Sequence, residues 1–280
     1  ASYVYKRQTY SPENGTNGVV PSGVTYSWGA PESTDATVQG TSGTAQTQFT
    51  TGTIENDDLN VAATLTYIVT PKILATGCEG EDFTVTVIVN PEAQIDNFTE
   101  TICEGDEFTS ITPEDVTNGI VPSSTTYTWV IHEESSDLVE GGSASTAASA
   151  TIPGSELTLV SGTTSPQDLI YTVTPTSSEG CVGEDFTVTI TVNPTPTMNI
   201  VSNIEVCNGN TVTINFTTDN TVGVTTYDWS VEGDEIGLPD DTSNITDSNV
   251  DITFTASNPD SEPREATITV TPIFTNTVSY

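Results

Sequence analysis

The chain has almost no positive charge. Only four of its 280 residues are Lys or Arg, against 39 Asp or Glu, which gives a formal net charge of −35. A chain of this charge cannot neutralise phosphates, and an anionic membrane surface would repel it. The basic residues are also too scattered to form a patch: Lys6, Arg7, Lys72 and Arg264. We therefore exclude nucleic acid as a partner and expect no direct membrane insertion.

Long apolar runs and helix-forming segments are missing as well. No stretch approaches the ~20 apolar residues of a membrane-spanning helix, and Met198 is the only Met. Thr makes up about a fifth of the chain, far above ordinary usage, and Thr and Val favour half-buried strands. With 34% hydrophobic and 15% charged residues, the composition is not that of a disordered acidic tail. We therefore predict an all-β protein.

Catalytic chemistry has few residues to use. His132 is the only His, so a Ser-His-Asp site could exist once at most and not in every repeat. There is no Gly-rich phosphate loop and no Cys/His cluster with zinc spacing. A glycosidase needs two carboxyl groups held at a set separation in a cleft, which narrow sandwiches rarely supply. We predict no catalytic residues and no enzyme activity.

The sequence repeats about every hundred residues. The block Thr-Tyr-x-Trp ends at Trp28, Trp129 and Trp229, which are 101 and 100 residues apart. A block of Thr and Val ends at Pro71, Pro175 and Pro272, and Gly-Cys-x-Gly-Glu-Asp-Phe ends at Phe83 and Phe186 without a third copy. This spacing predicts three domains, at residues 1–91, 92–196 and 197–280. The first lacks the leading Cys-x-Gly and the third is truncated at its C-terminal end, so we interpret the chain as a window onto a longer tandem protein.

Each repeat has the pattern of a small β-sandwich. Phe83, Val85, Val87 and Val89 alternate with residues of the opposite face at a period of two. Short strands with turn signals, at about a hundred residues per unit, are typical of immunoglobulin-like sandwiches. We predict that one Trp per repeat packs in each core, namely Trp28, Trp129 and Trp229. The alternative is that these Trp side chains are exposed platforms for sugars.

The four cysteines are candidates for disulfides in an oxidising, exported setting. One pairing joins Cys103 to Cys181 within the second repeat. Another joins Cys78 to Cys103 and Cys181 to Cys207. A third possibility is that all four are unpaired here, with partners in flanking sequence.

Calcium is the one candidate cofactor, since it prefers oxygen ligands. The densest acidic groups lie just before strands and in the third repeat: Glu79 to Asp82, Glu104 to Glu107, Glu184-Asp185, and Asp234 to Asp241. No complete calcium-loop pattern is present, and solvated carboxylates that keep the protein soluble are the alternative. We assign no metal ligands from the sequence.

The order of these motifs resembles a known family. From Ile102 to Pro196, Ile-Cys-x-Gly, Asn-Gly-Ile-Val-Pro, Thr-Tyr-x-Trp, Tyr-x-Val-Thr-Pro, Gly-Cys-x-Gly and Phe-Thr-Val-Thr-Ile are similar to the PKD-like domains of Bacteroidota surface proteins. The resemblance implies tandem immunoglobulin-like sandwiches in an elongated array. It also implies a secreted, non-enzymatic stalk or filament at the cell surface, as in giant adhesins of gliding motility delivered by type IX secretion.

The expected partners are neighbouring repeats of the same chain, with surface polysaccharide or other filament chains as further candidates. A set of glycan-binding modules is the alternative function. A third hypothesis, an accessory region of an enzyme, would require a catalytic domain outside this sequence.

Overall fold

A computed structural model of the chain describes residues 6–54, 56, 61–238 and 252–277, and all regular structure in that part is β. The fold-class prediction is confirmed: the chain is a tandem of all-β sandwich domains. No helix in the described ranges has the length and apolarity to cross a membrane. Three separate hydrophobic clusters form, each from residues of one predicted repeat. The domain boundaries themselves stay predictions.

Within its described residues, the first repeat contains seven strands. They are β1 (Lys6–Tyr10), β2 (Val24–Trp28), β3 (Glu32–Ser33), β4 (Gly43–Gln46), β5 (Phe49–Ile54), β6 (Ala63–Ile73) and β7 (Phe83–Val89). Strand β6 is the centre of the larger sheet, because it pairs with β2, β3 and β7, while β4 pairs with β2. Strands β1 and β5 form the second, two-stranded sheet. Alternate residues of β6 are buried, as the period-two pattern predicts.

The second repeat repeats this plan with eight strands. They are β8 (Gln94–Ile95), β9 (Phe98–Cys103), β10 (Gly119–Ile120), β11 (Thr126–Ile131), β12 (Val139–Glu140), β13 (Thr158–Leu159), β14 (Gln167–Thr176) and β15 (Phe186–Asn193). The main sheet has the order β11-β14-β15-β9. Strand β9 runs parallel to β15, so that Phe98 lies opposite Val188 and Cys103 opposite Asn193.

The third repeat has four strands in the described residues: β16 (Thr211–Ile214), β17 (Val224–Gly233), β18 (Ile252–Thr255) and β19 (Ala266–Thr275). Strands β16 and β18 pair, and so do β17 and β19. The register is shared with the second repeat, since Trp229 lies opposite Val270 as Trp129 lies opposite Val173. In the described part of this repeat no strand occupies the place of β15, and Val270 is only half-buried whereas Val173 is fully buried.

Candidate functional site at the joints between repeats

The three Trp side chains are core residues. Trp28, Trp129 and Trp229 expose only 5%, 9% and 4% of their surface. The indole N–H of Trp28 donates to the carbonyl O of Thr41, and that of Trp129 donates to Ser143, both at 3.0 Å. Rings buried to this degree have no face free for a sugar, and the hydrogen bonds also fix the rings of Trp28 and Trp129.

Threonine hydroxyls are the usual partners of the carboxylates. Thr70 Oγ1 donates to Asp82 at 2.7 Å, and Thr174 Oγ1 makes the equivalent bond to Asp185 at 2.6 Å in the next repeat. Thr37 donates to Asp35 from both its hydroxyl and its backbone N–H, and these bonds lower the pKa of that exposed carboxyl. Hydrogen bonds to the charged form favour that form. The abundant Thr residues therefore donate hydrogen bonds to carboxylates that pair with Lys or Arg in other proteins.

The acidic groups considered for calcium do not converge. Among the described residues, no three His, Cys, Asp or Glu side chains lie close enough together to hold a metal ion. Several of the carboxylates already have protein partners: Glu79 pairs with Lys72 Nζ at 3.0 Å, and Asp234 accepts the N–H of Glu265. Asp240 and Asp241 lie outside the described residues. His132 Nδ1 accepts the N–H of Glu134 in a local turn, at 3.1 Å.

The cysteines are all free thiols in the structure, so none of the predicted pairings is formed. The pairing of Cys103 with Cys181 is wrong for this fold. Cys103 lies beside Asn193 at the end of β15, whereas Cys181 precedes its first residue, Phe186. Those eight residues span about 23 Å, while a disulfide needs Cα atoms within about 7 Å. Cys181 is buried, and Cys78, Cys103 and Cys207 are exposed.

The joint between the first two repeats is a shallow groove. Residues from both sides line it: Ala62, Asn90 and Pro91 from the first repeat, and Pro122, Ser123 and Ser177 to Glu179 from the second. The linker residue Ala93 is buried against Gly183, where an added Cβ would overlap the Ala93 carbonyl group. The linker is thus packed onto the hairpin that joins β14 to β15.

The joint between the second and third repeats is held by hydrogen bonds around Thr195. The Glu104 carboxylate, from the second repeat, accepts the Thr195 N–H at 3.2 Å and its hydroxyl at 2.8 Å. Asn220, from the third repeat, donates to the Thr195 carbonyl O at 3.4 Å and accepts the Thr197 N–H at 2.7 Å. A direct bond, from the N–H of Thr221 to the carbonyl O of Thr164 at 3.0 Å, adds a second link. These contacts fix the Pro-Thr-Pro segment from both sides.

Sequence reasoning did not identify Glu104 and Asn220 as the residues that hold this joint. Glu104 was a candidate calcium ligand, and its bond to Thr195 depends on a strand register that a single sequence does not reveal. Asn220 is not part of any motif in the sequence. The position of Thr195 between two prolines, where few conformations are open, was the available signal.

The family comparison agrees with this architecture. The family model described as "PKD-like domain" matches residues 10–93 and 100–196. No match was found among curated proteins. Extracellular domains 3–5 of Drosophila OTK are similar over 94% of this chain and 90% of that one, at 13% identity and a TM-score of 0.31. The FN1–FN3 domains of chicken CNTN1 cover 90% of this chain and 88% of that one, at 12% identity and a TM-score of 0.29. Human CDH23 EC21–23 covers 88% of each chain, at 12% identity and a TM-score of 0.27.

The matched residues make up more than half of the chain and include the predicted cores of two repeats, with the same blocks that recur in the third. Domains of this immunoglobulin-like type are typically non-enzymatic. The chain belongs to the PKD-like domain family.

Proposed function

We propose that this chain is a non-enzymatic repeat segment of a large secreted cell-surface adhesin or filament, where it acts as an elongated stalk for adhesion or gliding. The observation that carries the proposal is the joint around Thr195. Glu104 of the second repeat and Asn220 of the third both form hydrogen bonds with Thr195. A joint bonded to both neighbours transmits force and orientation, which is the task of a stalk. A flexible tether would have a solvated linker of the Gly/Ser type.

The accessible surface also supports separate domains in line. The chain exposes 16591 Å². A single globule of 29.5 kDa would expose about 11,500 Å², and three separate globules of a third of that mass about 15,500 Å². The repeats therefore bury little of each other, as in an array where only ends touch.

The negative net charge also favours separate domains in line. A net charge of −35 over three repeats resists collapse of one domain onto another. The bonds at the second joint use hydroxyl, amide and backbone groups together with a single carboxylate, so the repulsion between repeats remains while the joint holds.

Small-angle X-ray scattering tests the stalk. We expect a radius of gyration of roughly 30 Å for three domains in line, each about the length of a ten-residue strand, against roughly 19 Å for one globule of 280 residues. The double variant Glu104→Ala with Asn220→Ala should loosen the joint and shorten the maximum dimension.

A matched control separates joint from domain effects. Glu100 accepts the N–H and hydroxyl of Thr109 just as Glu104 accepts those of Thr195, but within the second repeat. Glu100→Ala should leave the scattering curve unchanged. A radius near 19 Å for the unaltered chain would contradict the stalk.

The remaining parts of the proposal concern the protein's location, its export and its partners. We place the protein outside the cell, exported by the type IX route, with neighbouring repeats, surface polysaccharide and other filament chains as its partners. The family membership supports export. The glycan-binding alternative loses its main support because all three Trp side chains are buried.

A further inference from the structure

The main sheet of the third repeat is one strand short in the described residues. In the second repeat, β14 pairs with β11 on one side and with β15 on the other. Its counterpart β19 pairs there with β17 alone. The two strands align through Pro175 and Pro272, which lie opposite Tyr127 and Tyr227. The edge of β19 that corresponds to the β15 side of β14 is therefore open.

This open edge presents backbone hydrogen-bonding groups. The N–H and C=O of one residue in a strand point to the same side, and successive residues point to opposite sides. Glu265, just before β19, accepts at its carbonyl O an N–H from the residue that follows β17. Ile268 and Val270 have the opposite parity, so their N–H and C=O groups point to the open edge. Their counterparts Tyr171 and Val173 are paired with β15.

The inner face of β19 is incompletely covered as well. Ile268 and Val270 pack against the third core but are only half-buried. Tyr171 and Val173, in the same places of the second repeat, are buried in its core together with residues of β15. The third core therefore lacks the side chains that a strand beside β19 would supply.

A second segment borders the same place. In the second repeat, β9 runs along the far side of β15, and the turn after β9 is anchored by the Gly105 N–H, which donates to the Leu157 carbonyl O at 2.9 Å. The third repeat keeps this anchor, because the Gly209 N–H donates to the Ala256 carbonyl O at 2.8 Å. Residues 202–207, which precede this turn as β9 precedes the other, form no strand.

The apolar side chains of this segment are exposed. Ile204 and Val206 each expose 47% of their surface, whereas Ile102, which has the place of Val206 in the second repeat, exposes 9%. Both features of the third repeat have one cause, since in the second repeat the single strand β15 pairs with β14 and with β9. We call the place between β19 and residues 202–207 the strand slot.

We propose that the strand slot binds an extended strand donated by a separate polypeptide. The second repeat indicates the chemistry of that strand, which is the type of β7 and β15: apolar residues at every second position, beginning with Phe, and Thr between them. In the register of β15, Phe186 would lie opposite Val270 and Val188 opposite Ile268. Strand addition to a sheet edge is a general mode of peptide recognition, in which main-chain bonds give affinity and alternate side chains give specificity.

The donor is a separate polypeptide because the chain has no such strand free. The block Phe-Thr-Val-Thr occurs twice in the sequence, in β7 and β15, and both strands pair within their own repeats. Charge does not oppose the addition, since β19 contains none of the 39 acidic residues. In the proposed stalk the donor is another filament chain, so this inference rests on the proposed function and gives it a point of attachment.

The test uses the full chain and a synthetic peptide of residues 183–194 that carries fluorescein at its N-terminus. Fluorescence anisotropy should show saturable binding of one peptide per chain. A peptide of the same composition, shuffled so that apolar residues no longer alternate, should bind at least about tenfold more weakly, because its apolar side chains would face both sides of the sheet.

A pair of matched variants locates the binding. Val206→Asp should weaken peptide binding by about tenfold or more, because this exposed side chain becomes buried beside the added strand. Val222→Asp is the control, since Val222 belongs to the same repeat, exposes 45% of its surface and lies on neither side of the slot. It should change the affinity by less than about twofold.

Amide hydrogen exchange measured by NMR identifies the pairing. In the free chain, the N–H groups of Ile268 and Val270 should exchange much faster than that of Thr269, which faces β17, and the peptide should slow both by at least about tenfold.

Four results would overturn the proposal: no saturable binding, equal binding of the shuffled peptide, unchanged binding to Val206→Asp, or slow exchange of Ile268 and Val270 in the free chain. If that slow exchange depended on chain concentration, the β19 edges of two copies would be pairing with each other. Neither peptide binding nor exchange depends on the scattering radius that tests the stalk, so either proposal can fail alone.

Discussion

Replacing Gly183 by Ala should weaken the second repeat at its junction with the first. A Cβ at this position would overlap the carbonyl O of Ala93, with the Ala93 carbonyl C at 3.0 Å and its Cβ at 3.1 Å. These are mostly backbone atoms of the buried linker, so neither a side-chain rotation nor solvent can relieve the contact. The linker itself must move away from the hairpin that joins β14 to β15.

The expected loss of unfolding free energy follows from this displacement of the linker. Overpacking of a well-packed site typically costs about 1–3 kcal/mol, and Gly→Ala returns roughly 0.4–1 kcal/mol by restricting the unfolded chain. The net loss is then about 1–2 kcal/mol. For a domain of about a hundred residues, this lowers the unfolding temperature by roughly 5–15 °C.

Differential scanning calorimetry of the full chain measures this loss, and the first repeat supplies the control. Gly80 occupies the same place two residues after Cys78, but the nearest atom to an added Cβ there is the ring carbon Cγ of Pro71, at 3.1 Å. Gly80→Ala should change the unfolding temperature by only a few degrees. Equal shifts for the two variants would refute the argument that the linker is packed onto the hairpin.

Two further predictions concern the loops and the core. Val116 is 83% exposed yet has a φ of +70°, and its counterpart Gly15 has a φ of +88° and open space around it. Val116→Gly should therefore stabilise the second repeat by about 0.5–1 kcal/mol, and Gly15→Val should destabilise the first by at least as much. Urea titration measures both changes, and a loss of stability in Val116→Gly or a gain in Gly15→Val would contradict the argument. Burial raises the pKa of Tyr127 to about 12, so the stability that its neutral form contributes is complete below about pH 10, the ordinary pKa of Tyr, and is lost as the pH rises through 12. The fall in unfolding temperature between pH 8 and pH 11 should therefore be smaller in Tyr127→Phe than in the unaltered chain. An equal fall in the two proteins would show that Tyr127 ionisation is not involved.

The sequence was sufficient for the fold because the fold depends on local alternation. Leu65, Tyr67 and Val69 are fully buried on one face of β6, as a period of two requires. The recurrence of Trp at a fixed place also predicted a buried ring in each core. Both signals are carried by residues near each other in the chain.

Long-range contacts were the part that could not be predicted. The parallel pairing of β9 with β15 joins residues about ninety positions apart, and it alone decides that Cys103 and Cys181 lie at opposite ends of a repeat. A single sequence offers the same alternation for either direction of pairing, so the disulfide predictions had no basis for choosing. The joints depend on the same pairing, which is why Asn220 and the role of Glu104 became visible only in the structure.

The scarcity of Lys and Arg has a structural consequence at these joints. In the described residues only two ion pairs form, Lys72 with Glu79 and Arg264 with Asp260, while Thr hydroxyls satisfy Glu104 and several other carboxylates. A hydroxyl donor satisfies a carboxylate without cancelling its charge, whereas a Lys would cancel it. Each repeat therefore keeps its negative charge and repels its neighbours at long range, while short neutral bonds such as that of Thr221 to Thr164 hold the ends together. Salt screens the long-range repulsion between repeats strongly and the short bonds at the joints hardly at all, so the bonds at the second joint should keep the repeats in line even when added salt removes the repulsion.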